Sequence, residues 1–98
     1  MQIPDKIKIG GITYDIKLVD NLVDKCGEFD LSKLNITIEK ASQEAMELTF
    51  IHEILHAINN EVKEIEIEFY AQALYQIIKD NPKLFMEGGV TKNASKKN

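Results

Sequence analysis

The chain contains no arginine, only one cysteine (Cys26), and no apolar run long enough to cross a membrane. Each absence removes a class of function. Without arginine there is no planar fork of donors to grip phosphates, carboxylates or guanine edges in bidentate fashion. The twelve basic residues are all lysine and face sixteen acidic ones, for a net charge of −4. Leaving out the segment from Lys92 onward sets nine lysines against those sixteen acids, a net −7. No nucleic-acid partner is expected of so acidic a body. A single cysteine closes no internal disulfide and fits a structural thiol in a reducing compartment. No stretch approaches the roughly 18 apolar residues of a membrane span. The opening MQIPDKIKIGG carries charge from Asp5 onward, where a secretory signal would have its apolar region. The expectation is a cytoplasmic protein with no membrane association.

What is present is one domain's worth of chain: 98 residues, 44% hydrophobic and 29% charged, values typical of a soluble globular fold. The domain is expected over residues 1–87. Residues 88–98, GGVTKNASKKN, are polar, glycine-led and basic, and read as a frayed tail. From Ile7 to Glu39 the segments KIKIGG, ITYDIKLV, GEFDL and LNITIE are short, rich in Ile, Val, Thr and Tyr, and partly alternating, which predicts three or four strands. Gly10-Gly11 suits a two-residue hairpin turn, and 30–35 links a further antiparallel pair. Residues 19–27 allow a helical turn instead.

After Glu39 the period changes. Leu48, Ile51, Ile54, Leu55 and Ile58 recur at three- and four-residue intervals, which predicts a helix with Ser42 as N-cap and Asn59-Asn60 as its end. A second helix is expected from near Val62 to Lys79, stopped by Asn81-Pro82. The predicted fold class is α+β: a small antiparallel sheet of three to four strands followed by two helices.

The first helix contains His52-Glu53-Ile54-Leu55-His56, an HExxH pattern that uses the only two histidines in the chain. Residues four apart share a helical face, with Cβ atoms roughly 5–6 Å apart. His52 and His56 can therefore reach one ion, while Glu53, about 100° around the helix, flanks it as general base and acid. The bland alternative is a pair of partly buried histidines satisfied by neighbouring carboxylates. A catalytic zinc takes three protein ligands. With no further histidine or second cysteine, the third must be a carboxylate of the second helix. Glu64 and Glu68 share one face with Gln72 and Tyr75, whereas Glu61 and Glu66 read as solvated. Glu68, flanked by Phe69, Tyr70 and Ala71, is favoured, and Glu64 is the alternative. Gln72, one turn beyond Glu68, is placed to hydrogen-bond the outer nitrogen of a metal-bound histidine. Zn2+ suits two imidazoles, one carboxylate and an open position better than calcium or magnesium does.

The segments TFIHEILHAINN and EIEIEFYAQALYQIIKDNP, with GEFDLSKLNITI upstream, resemble small HExxH proteins encoded by phages and prophages, of the gluzincin type of zinc metallopeptidase. A more distant likeness is to the metallopeptidase domain that cleaves phage repressors or stress regulators. The resemblance covers most of the chain up to Asn81-Pro82 and implies a minimal zincin-like fold in a bacterial or phage-infected cytoplasm. The gluzincin Glu-x-x-x-(Asp/Asn) pattern falls on Glu68 and Gln72, with Gln a departure from it. An edge strand that lies antiparallel to the substrate is implied too, and LNITIE is the candidate. Larger relatives supply a His or Tyr to the oxyanion. Here Tyr75 is the choice, against its alternative role of filling the helix interface. The leading expectation is a zinc-dependent peptidase acting on peptide or protein substrates. The alternatives are an accessory protein that binds a protein partner and is stabilised by a structural metal, and a metal-free interaction domain.

Overall fold

The computed structural model describes residues 2–86, so the tail read from residue 88 onward lies outside the described residues. Four strands precede two helices: β1 (Lys6–Ile9), β2 (Ile12–Val19), β3 (Gly27–Asp30), β4 (Asn35–Glu39), α1 (Gln43–Ile58) and α2 (Glu64–Asp80). Strands β1 and β2 form a hairpin across Gly10 and Gly11, whose φ values of +57° and +86° are those of a two-residue turn that matches strand twist. No atom crowds either glycine, so the requirement there is on the backbone alone.

The α+β class is as predicted, but the sheet is mixed rather than antiparallel. Its order is β1-β2-β4-β3, with β2 and β4 parallel and the other two pairs antiparallel. The chain leaves β2, crosses through 20–26 to the far edge, forms β3, and returns as β4 into the space beside β2. The crossing contains no helix, and Asp24 within it sits at φ 59°. It is pinned where Glu39 N donates to Cys26 O and Lys40 N to Val19 O, both at 2.8 Å. The β3–β4 turn is held by Asp30 Oδ1, which accepts from Ser32 Oγ (2.6 Å) and Lys33 N (3.1 Å). As a consequence LNITIE is an interior strand, and GEFD and KIKI are the two edges.

Side-chain alternation then divides the sheet. Lys6, Lys8, Thr13, Asp15 and Lys17 are exposed on one face. On the other, Ile36 and Ile38 are fully buried with Phe50 of α1, ringed by Ile7, Ile16, Phe29, Met46 and Ile54. Tyr14 meets Phe29 edge to face at 5.5 Å. Helix α1 starts as predicted, with Ala45 N donating to Ser42 Oγ at 3.2 Å, and ends at Asn59, whose N–H donates to Leu55 O.

Helix α2 packs on α1, and its backbone comes as close to no strand. It buries Ile67 and Ala71 but leaves Ile65, Phe69, Tyr70, Leu74 and Ile77 exposed. Glu64 meets His56, Tyr75 meets Glu47 and Lys79 meets Glu44, so the two helices run antiparallel. At the far end of this hairpin Glu47, 6% exposed, accepts hydrogen bonds from Gln43 Nε2 (2.8 Å) and Tyr75 Oη (2.7 Å). The Gln43 bond, aided by that of Tyr75, holds the Glu47 carboxyl below its ordinary pKa against the effect of burial. Burial and the same bond push the Tyr75 phenol up.

Two outcomes follow from this packing. Ile36→Ala should cost about 2–5 kcal/mol in urea unfolding, the usual penalty for an emptied core position. Tyr75→Phe should cost about 1 kcal/mol at pH 7, the net value of one hydrogen bond. The lowered Glu47 pKa contributes stability that is present above the unfolded value and lost as pH falls through the folded one. The raised Tyr75 pKa contributes stability that is present below the unfolded value and lost as pH rises through the folded one. Tyr75→Phe should therefore flatten the alkaline limb of the stability–pH curve and soften the acid limb, where the Gln43 bond remains. A variant curve parallel to wild type on both limbs contradicts the pairing.

Candidate metal centre

Helical spacing brings the His52 and His56 rings to 5.0 Å between centroids, on the face of α1 turned toward α2. The linker 59–63 is short and folded back on itself, with Glu61 N donating to Asn59 Oδ1 at 3.0 Å. Helix α2 consequently begins beside the last turn of α1, and its first residue, Glu64, reaches both rings. Glu64 Oε2 lies 2.7 Å from His52 Nε2 and Oε1 lies 2.8 Å from His56 Nε2. One nitrogen from each histidine and one carboxylate oxygen all fall within 4.8 Å of one another.

This set differs from the one favoured by sequence. Glu68 lines the same cavity as His52 and Glu64 but is not part of the cluster. Glu64 stands in the first turn of α2 beside the last turn of α1, and Glu68 lies one turn further along. Tyr75 is directed elsewhere: its hydroxyl is bound to Glu47, and it borders a separate depression with Gln43 and Lys79. Gln72 lines the cavity with His52; His56 Nδ1 is buried with no hydrogen-bond partner, so Gln72 does not hold the outer nitrogen of His56.

Glu53 is 6% exposed and faces β3. A Cβ on Gly27 would lie 3.0 Å from Glu53 Oε2 and 2.5 Å from Thr49 Cγ2. The absence of a side chain at the start of the edge strand is what lets α1 lie this close to it. Burial raises the Glu53 pKa, opposed by the charges of His52 and His56. A cavity of about 290 Å3 opens beside these groups, with Leu48, Thr49 and Ala71 among its walls and the exposed Cys26 bordering it. Sequence reasoning passed over Gly27 and Thr49. A glycine ahead of a strand and a threonine within a helix carry no local signal, and only the approach of β3 to α1 gives them a role.

The donor set fits a zinc ion. Two imidazole nitrogens and one carboxylate, with a fourth position open, are what catalytic zinc takes. Glu64 meets one histidine through each of its carboxylate oxygens, Oε2 at His52 and Oε1 at His56. The free Nδ1 of His56 leaves Nε2 as the nitrogen turned to the centre. No protein-family model, no curated protein and no solved structure matches this chain.

Glu64→Gln and His56→Ala should each lower zinc affinity by at least about 100-fold in competition with a chromophoric chelator, since each removes one of three donors. Gly27→Val should lower stability by about 1–3 kcal/mol through overpacking against Thr49 and Glu53. A Gly27→Val protein as stable as wild type contradicts the close approach.

Proposed function

We propose that the protein is a zinc-dependent metallopeptidase in which His52, His56 and Glu64 hold the ion and Glu53 is the general base. The observation that carries this reading is the convergence of Glu64 on both histidines of an HExxH helix, with the buried Glu53 carboxylate in the same cavity. Zinc bound there would lower the pKa of a coordinated water toward about 7 and polarise a peptide carbonyl. His52 and His56 would hold the ion through their ring nitrogens. Glu64 supplies the one negative donor and, from the first turn of α2, draws on the favourable end of that helix's dipole.

Glu53 accepts the proton given up by the attacking water and returns it to the departing amine. Burial that raises its pKa brings a carboxylate closer to the range where both transfers are efficient. Gly27 keeps the space in which that carboxylate sits. The free edge of β3 borders the centre: Gly27, Glu28 and Phe29 line a concavity shared with His52, Glu53 and His56. An extended peptide adding to that edge would bring its backbone past the ion, so β3 takes the substrate-strand role expected of LNITIE. Tyr75 is bound to Glu47 and no tyrosine lines the cavity, so a bound ion would supply the positive charge an oxyanion needs.

A second reading has its own support. The exposed Ile65, Phe69, Tyr70, Leu74 and Ile77 of α2 suit an accessory protein that binds a protein partner and uses the metal to stabilise its fold. Glu53→Gln separates the two. On the peptidase reading it keeps one zinc per chain and lowers peptide cleavage by about 10²–10⁴-fold. Cleavage at the wild-type rate by a zinc-loaded Glu53→Gln protein contradicts the mechanism. On the second reading, zinc removal lowers the melting temperature and Glu53→Gln changes neither stability nor partner binding.

A further inference from the structure

We infer that the cavity beside the centre selects peptides carrying a lysine or arginine side chain next to the scissile bond, and that Glu68 is the residue that reads that charge. The inference rests on the peptidase reading and assigns Glu68 the role left to it once Glu64 engages both histidines.

Three observations carry it. The first is charge. Glu53, Glu64 and Glu68 all line the cavity and no lysine does. The two positive charges of a zinc ion would be matched by Glu53 and Glu64, so the Glu68 carboxylate remains as uncancelled negative charge. Lys25 borders the adjoining concavity, which shares His52, Glu53 and Glu64 with this one, and is paired with Glu28 at 3.4 Å. The second is partnership. Glu68 is exposed, and among the described residues no hydrogen bond or ion pair engages its carboxylate. It stands one helical turn from Glu64, within the cavity but outside the ligand cluster. The third is shape. The cavity holds about 290 Å3, with Leu48, Thr49 and Ala71 among its walls, and the nine-tenths-buried Glu53 faces into it. A side chain with a long aliphatic stem and a cationic head matches that sequence of surfaces: the stem lies along the apolar wall and the head reaches the carboxylate. A short or acidic side chain would leave the wall uncovered or face like charge.

The test is binding by calorimetry to the zinc-loaded wild-type protein, which keeps the Glu53 charge, with the scissile amide of each peptide replaced by a non-hydrolysable ketomethylene so that no turnover occurs. The probes are two capped pentapeptides, identical except for a central lysine or its uncharged isostere norleucine. The lysine peptide should bind about tenfold more tightly, the range of one charge-assisted contact, and the preference should shrink at high salt. Adding Glu68→Gln should abolish the preference while the protein still binds one zinc per chain. Equal binding of the two peptides, or a preference that survives Glu68→Gln, overturns the role of Glu68 and leaves the peptidase reading standing. Loss of zinc in Glu68→Gln, with zinc retained in Glu64→Gln, also overturns it by making Glu68 the ligand. Failure of either peptide to bind a protein that holds zinc overturns both readings.

Discussion

Helix α1 has to satisfy two neighbours with one set of 16 residues, and most of the molecule follows from how it does so. Its apolar stripe, centred on Phe50 with Met46 and Ile54 beside it, closes the core over Ile36 and Ile38. Its remaining surface, carrying Glu47, His52 and His56, is turned toward α2. Polar groups placed between two helices must find partners or destabilise the pair. Here they find them at both ends: Glu47 with Tyr75, and the two histidines with Glu64. Because α2 packs against α1, those polar contacts, the Lys79–Glu44 pair and the buried Ile67 and Ala71 hold the second helix in place.

The same arrangement explains the composition of the centre. A hairpin of helices with a short linker places the first turn of α2 against the last turn of α1, so a carboxylate at the start of α2 is the one that meets the histidines. The edge strand closes the other side. Gly27 admits the Glu53 carboxylate between strand and helix, and burial there raises its pKa. One glycine thus links sheet geometry to the proton-transfer chemistry proposed for the centre.

Several features were legible in the sequence because their signals are local. The hydrophobic period and Ser42 fixed the start of α1, Asn59 its end, and the Gly10-Gly11 pair the first hairpin. The HExxH spacing identified the two histidines, since residues four apart share a face whatever the fold. Strand partnership was not legible. Alternation in LNITIE says which side chains share a face, not which strand lies alongside, and the return of β4 between β2 and β3 made an expected edge strand interior. The choice between Glu64 and Glu68 was not legible either. They lie on one face of α2, and what separates them is the level at which that helix begins, set by a five-residue linker whose path depends on Asn59 and Glu61. Tyr75 shared that face by spacing, but the hydrogen bond to Glu47 two turns along the hairpin claims it.

The central claim is that His52, His56 and Glu64 form one metal centre, and zinc-edge anomalous diffraction from crystals of the untagged protein tests it most directly. The account predicts a single zinc peak bonded by Nε2 of His52, Nε2 of His56 and a carboxylate oxygen of Glu64 at about 2.0–2.2 Å, with Glu53 beside the ion but not bonded to it. No zinc after incubation with excess metal, or an ion held by Glu68 in place of Glu64, would contradict it.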